Sequence, residues 1–280
     1  QIRPLKKYKY ILKKIFKCKL LIEINGVYNS PAIYEYYGSG RAIRKYFYPK
    51  IQQYILCRAD ALKCLFEGQL AGFQVPGKII VKNYFDFTQI ETSNYESKHS
   101  RIVLSVGFPA YIKGMDLLVK AFAELNKEFD DWKLWLVGWF SNEEHAFLKE
   151  LVGDNKNIEI REPVNFTEIP ELLDRCEIFT LASRTEAMGR VLLEAMARGK
   201  VRIGSRVDGI PTVINHNKDG LLFEPGNVED LKKKMKTLMS SESTRQRLAK
   251  AGLERFSREF TITQYSHHVK MLYENIMNTE

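Results

Sequence analysis

An alternation of short strand-like runs with helical stretches most constrains what this chain can fold into. The runs lie at 19–25, 78–83, 101–107, 132–138, 157–162, 177–183, 200–205 and 220–225. Most are separated by helical stretches of about ten to fifteen residues. Runs such as "RIVLSVG" and "EIFTLAS" are apolar throughout instead of alternating. A strand with two apolar faces must be covered on both, and the intervening helices supply the cover. The predicted fold class is α/β with parallel, doubly wound sheets, in which ligands settle at the carboxyl ends of the strands.

The polar, aperiodic stretch "DFTQIETSNYESKHS" at 86–100 divides the strands into two series. The expected organisation is a partial Rossmann-like N-terminal domain and linker at 1–98, then a Rossmann-like domain at 99–260. A C-terminal helix at 261–280 packs back toward the first domain. The N-terminal part reads as incomplete, because no early strands precede the run at 19–25.

Composition sets outer limits. The chain has 280 residues, 45% hydrophobic and 28% charged, enough to bury a sizeable core. Cys18, Cys57, Cys64 and Cys176 form no CxxC or Cys/His cluster, which fits reduced thiols in a cytoplasmic protein and gives no zinc motif. No apolar run reaches the roughly 20 residues that cross a bilayer. The net charge of +9 is concentrated at the start, where "KKYKYILKKIFKCK" carries seven lysines. They flank Tyr8, Ile11, Leu12, Ile15 and Phe16, which share one helical face. Such a helix either packs on a sheet or lies peripherally on the anionic inner face of a membrane. A nucleic-acid partner is not expected, since no reader module accompanies the lysines.

Chemistry concentrates where strands run into helices. In "LSVGFPAYIKGMDLLVKAF" a strand ends at Gly107, and Lys113-Gly114 opens a helix, so a lysine and backbone N–H groups converge on one point. Gly138 ends another strand in "WLVGW". In "RTEAMGRVLLEAMARG" a helix starting near Gly189 would aim its first N–H groups and its dipole at an anion. Glu186 then lies on the approach loop and Glu194 one to two turns into the helix. Eight helical positions span about 12 Å, near the separation of hexose and ribose in a nucleotide sugar whose diphosphate sits on the helix end. Trp132, Trp135 and Trp139 read as core or pocket wall, and none of the five histidines reads as catalytic.

The pair of glutamates with seven residues between them in "EAMGRVLLE", the Lys113-Gly114 element and the later "GIPTVI", "DGLLFEPGN" stretch resemble the retaining glycosyltransferases of family 4. These have the GT-B fold of two Rossmann-like domains. The likeness runs from residue 101 to about 260, while "EINGVYN" and "RADALKCLF" look like parts of the family's N-terminal domain. The resemblance implies that Glu186 faces donor-sugar hydroxyls, that Lys113 binds phosphate and that Glu194 holds the ribose. It further implies that Gly107, Met188, Gly189 and Arg190 surround the diphosphate, and that Val164 and Asn165 contact the base. Phe108 stands where many members carry a phosphate-binding arginine, with Arg184 or Arg190 as the substitute. The implied activity is metal-independent, retaining hexosyl transfer from a UDP- or GDP-linked sugar to a glycan or lipid-linked acceptor, in cell-surface polysaccharide or glycolipid synthesis. No cofactor is expected beyond the donor. A sugar-nucleotide epimerase of the same fold, or a non-catalytic nucleotide-sugar-binding module or partner subunit, remain the alternatives.

Overall fold

The computed structural model describes residues 21–24, 50, 52–59, 61–70, 73–74, 80–82 and 100–278. The lysine-rich segment, most of "EINGVYN" and all but the last residue of the 86–100 stretch lie outside them. One parallel sheet joins β1 (Leu21–Ile24), β2 (Ala61–Cys64) and β3 (Ile80–Lys82) in that order. β2 has no counterpart among the predicted runs, because Ala-Leu-Lys-Cys contains no β-branched or aromatic residue and a lysine interrupts it. Lys63 is nevertheless buried, with its ammonium 5.3 Å from the Tyr265 ring centroid.

The second sheet contains β4 (Ile102–Val106), β5 (Lys133–Val137), β6 (Ile158–Arg161), β7 (Ile178–Leu181), β8 (Val201–Ser205) and β9 (Leu221–Phe223). All its strand pairs are parallel, and the order is β6-β5-β4-β7-β8-β9. The direction of winding therefore reverses between β4 and β7, where a doubly wound sheet opens a crevice at its carboxyl edge. The fold is α/β with parallel sheets, the larger of them doubly wound, as the apolar runs predict.

Alternate residues of each strand feed opposite cores. Val103, Leu134, Leu136 and Phe223 pack with α1 (Met115–Leu125), α2 (Asn142–Val152) and α6 (Val228–Met239). Leu104, Trp135, Val137, Phe179 and Leu222 pack on the other face with α3 (Ile169–Arg175), α4 (Arg190–Ala197) and α5 (Ile210–Val213). α7 (Glu242–Glu259) reaches both layers through Leu248 and Phe256, and α8 (Ile262–Asn278) follows it.

β8 departs from the all-apolar expectation with a charge in the core. Arg202, in β8, is fully buried and donates to the Asp219 carbonyl at 2.6 Å, and Arg255 from α7 reaches the Asp219 carboxylate at 2.8 Å. Burial pushes the Arg202 guanidinium down to about 10, although Asp219 opposes the shift.

Helix starts differ in how they are closed. α2, α6 and α7 are closed by side chains, since Ser141, Asn227 and Ser241 each accept a backbone N–H of the first turn. α1 and α4, the helices that follow the two switch-point strands, begin at Gly114 and Gly189 without a side-chain cap. Gly189 has φ 75°, a left-handed turn that a side chain would strain.

Candidate active site

A cleft of about 670 Å³ opens at this switch point. Val106, Gly107, Phe108 and Lys113 line it from the β4 side, and Phe166 and Ile169 from beyond β6. Glu186, Gly189, Arg190, Val191 and Glu194 form the wall that follows β7. Of the residues singled out in the sequence, Lys113, Glu186, Glu194, Gly189, Arg190 and Gly107 are therefore brought to one cavity.

Each acid in the cleft faces a cation. Lys113 Nζ donates to Glu186 Oε2 at 2.5 Å, with both side chains largely covered. A Cβ at Gly107, which has φ 145°, would lie 3.0 Å from the Lys113 Cε, so the glycine leaves room for the lysine stem. Arg190 Nε donates to Glu194 Oε1 at 2.8 Å across one turn of α4. Burial raises the Glu194 pKa above its ordinary value, and Arg190 offsets only part of that cost.

Other expected residues stand elsewhere. Met188 is buried in the core beside Leu192 and does not line the cleft. Val164 packs against the same core, and Asn165 precedes a single 3-10 turn at Phe166–Glu168. The lining contributed by this loop comes from Phe166 and Ile169.

Arg184, one of the two expected substitutes for a phosphate-binding arginine, is not among the residues that line the cleft. Its two terminal nitrogens form 2.7 Å hydrogen bonds with the two Asp116 carboxylate oxygens, and its guanidinium lies 4.0 Å from the Tyr111 ring centroid. Asp116 is 6% exposed, so Arg184 neutralises a nearly buried acid. The result is a clamp between the loop carrying Lys113 and the loop carrying Glu186. Arg184 N–H also donates to the Ile112 carbonyl at 2.8 Å.

The tryptophans divide as well. Trp132 and Trp135 are buried, whereas Trp139 is 65% exposed and meets Phe108 edge to face, with centroids 6.5 Å apart. His216 accepts the Leu222 N–H through Nδ1, a structural bond away from the cleft. Among the described residues no cluster of three or more His, Cys, Asp or Glu is placed to hold a metal ion, and no helix is long and apolar enough to cross a membrane.

One residue that sequence reasoning passed over touches the Glu186 segment directly. Asp208, in the loop after β8, accepts the Glu186 N–H at 3.0 Å and the Thr185 hydroxyl at 2.7 Å through the same oxygen. The Asp-Gly pair at 208–209 reads as a turn, and only the folded chain shows what the side chain holds.

The family model for glycosyl transferases group 1 matches residues 86–255. The chain belongs to this family. Among its curated relatives this group 1 glycosyl transferase is 30% identical over 199 residues to N-acetyl-alpha-D-glucosaminyl L-malate synthase of Bacillus anthracis, covering 70% of this chain and 51% of that protein. The chain thus spans about half the length of the curated relatives it matches. Among solved structures it superposes on sucrose-phosphate synthase from Thermosynechococcus elongatus with a TM-score of 0.78 at 21% identity, over 96% of this chain and 70% of that one. It also superposes on Anabaena HepE, solved with UDP and glucose, with a TM-score of 0.74 at 19% identity, over 95% of this chain and 74% of that one. These likenesses establish the GT-B fold.

Proposed function

We propose that the chain carries the donor site of a retaining glycosyltransferase that takes its sugar from a UDP- or GDP-linked donor. The observation that carries this reading is the meeting of Lys113 and Glu186, 73 residues apart, at the glycine-started end of α4. The donor's diphosphate sits between Lys113 and the α4 N-terminus, its sugar hydroxyls on Glu186 and its ribose on Glu194.

In the reaction the bond between the anomeric carbon and the diphosphate oxygen breaks. Negative charge develops on the leaving diphosphate, where Lys113 and the helix dipole are already in place. The acceptor hydroxyl attacks from the same face and gives its proton to the leaving phosphate, so configuration is retained. The charge is met by Lys113 and backbone groups, so no metal is required. Phe166 and Ile169 form the side of the cleft beyond β6, and the base lies against them. The acceptor is a glycan or a lipid-linked saccharide, and the lysine-rich segment at 6–19 brings the protein to an anionic membrane surface.

A thermal-shift screen across UDP, GDP, ADP and their sugars tests the donor site. A ligand that binds only the folded chain raises stability by RT ln(1 + [L]/Kd). Stabilisation by UDP or GDP is the expected result, and a flat response to every nucleoside diphosphate would overturn the reading.

A further inference from the structure

We propose that Asp208 is a positioning residue that acts through Glu186, holding the loop on which that acid approaches the donor sugar. The proposal rests on the donor-site reading given above.

The loop at 183–189 is suspended between two neighbours. On one side Arg184 joins it to the Lys113 loop. On the other, the last residue of β8 and the segment after it meet it at four points. Ser205 Oγ donates to the Ser183 carbonyl at 2.6 Å. Asp208 Oδ2 accepts from the Thr185 hydroxyl and from Glu186 N–H, and Gly209 N–H returns a bond to the Glu186 carbonyl at 3.1 Å. The peptide groups on both sides of Glu186 are therefore held by residues 208 and 209. The approach is close, since a Cβ on Gly209 would stand 1.9 Å from the Ala187 carbonyl oxygen.

The backbone at Asp208 argues that its carboxylate is the point of the contact. Its φ is 42°, in the left-handed region where side chains other than those of Asn and Asp are rare. Glycine would adopt this turn without strain but would offer no acceptor to Thr185 and Glu186. A strained position is kept where its surroundings over-determine it, and here they do so through two bonds to the segment bearing an acid of the cleft. A carboxylate is also the stronger acceptor for a backbone N–H. Glu186 in turn must reach Lys113 and the sugar at the same time, so a small rotation of its peptide moves the carboxylate off both.

The test compares Asp208→Gly, which relieves the turn and removes the acceptor, with Asp208→Asn, which keeps an oxygen in the same volume. Asp208→Gly is expected to melt near wild type yet to lower kcat at least about tenfold, the order of loss expected when a reacting group is displaced by a fraction of an ångström. Its Kd for the nucleoside diphosphate should stay within about twofold, because Glu194 and the α4 terminus do not depend on the bond. Asp208→Asn should recover most of the rate. In a Glu186→Gln background the Asp208→Gly change should cost nothing further, the non-additivity of residues acting through one another. Equal turnover in Asp208→Gly and wild type, or additive losses in the double variant, would overturn the proposal.

Amide exchange supplies a readout that needs no turnover. In Asp208→Gly the amide of Glu186 should exchange at least about tenfold faster while β7 stays protected. An unchanged rate there refutes the contact itself. Failure of wild type to transfer sugar from any nucleotide donor would instead count against the donor-site reading, with exchange still deciding whether Asp208 holds the loop.

Discussion

Lys113 Nζ lies 2.5 Å from Glu186 Oε2, and the ion pair bridges the two loops on either side of the sheet's reversal point. In the proposed donor complex both partners are met at once: the diphosphate would compete for the ammonium, and the sugar hydroxyls would take over the carboxylate.

The two halves of this pair should therefore fail differently. Lys113→Ala removes a preorganised charge from the leaving group, and losses of that kind run to about 10² or more in kcat. Glu186→Gln should lower transfer and donor hydrolysis while leaving nucleoside diphosphate affinity nearly unchanged. Steady-state kinetics with calorimetric titration of the nucleotide checks both. A loss of nucleotide affinity in Glu186→Gln that matched its loss of rate would put the acid at the wrong end of the donor.

Glu194 should act on binding. Hydrogen bonds from two ribose hydroxyls to a charged acceptor contribute roughly 1.5 to 3 kcal/mol each. The ribose does not change during the reaction, so the loss falls on KM more than on kcat. Glu194→Ala is expected to weaken the nucleoside diphosphate by about tenfold or more, and a deoxyribose analogue should bind both proteins alike. Arg198, four positions further along the helix, does not pair with Glu194 through its side chain but donates from Nε to Asp174 at 2.6 Å. Calorimetry with the two nucleotides decides.

The same residue makes a pH prediction. Burial raises the Glu194 pKa above 4.5, so ionising it costs the folded state more than the unfolded one. The stability this acid contributes is present in full below 4.5 and is lost as pH rises through its folded pKa. At neutral pH Glu194→Gln should therefore melt higher than wild type while binding nucleotide more weakly. The difference in melting should close on acidification. Nucleotide affinity of the wild type should begin to fall at a higher pH than an ordinary carboxylate would give. Paired melting curves across pH test the sign.

Arg184 should matter for folding. Removing one partner of a largely buried ion pair leaves the other uncompensated, at about 3 to 5 kcal/mol. Arg184→Ala should lose roughly the lower figure, and Arg184→Ala with Asp116→Asn should regain part of it. Urea unfolding of the set measures this. A stability unchanged in Arg184→Ala would show that the clamp is dispensable.

For the lysine-rich segment, vesicle co-sedimentation gives the outcome. Lysines near an acidic surface add about 1 kcal/mol each, so binding should require anionic lipid and weaken with salt. Equal binding to neutral vesicles would contradict the membrane reading.

Much of the fold was legible because burial on both faces writes itself into runs such as "EIFTLAS", and glycines punctuate the helix starts. What stayed hidden was created by packing. β2 is too short and too polar at Lys63 to stand out, and Arg202 looks like an exposed charge until Asp219 and Arg255 close around it. Arg184 carries the right charge for a phosphate, but Asp116 claims it, and a position in the first turn of one helix says nothing about a loop 68 residues away. Val164 and Asn165 come from the resemblance, whereas in the loop that holds them it is Phe166, in a one-turn 3-10 helix, that lines the cleft.

The strand order has a consequence for the time course of folding. β4 has β5 on one edge, and its other edge remains open until β7 pairs with it. A chain emerging from its N-terminus can assemble β4, β5 and β6 with Lys113 in place and nothing opposite it. Such non-local pairing comes late, because loop closure precedes any reward. The cleft between β4 and β7 is therefore expected to form only after the rate-limiting barrier has been crossed. A bound nucleotide should accordingly slow unfolding and leave the rate of refolding unchanged.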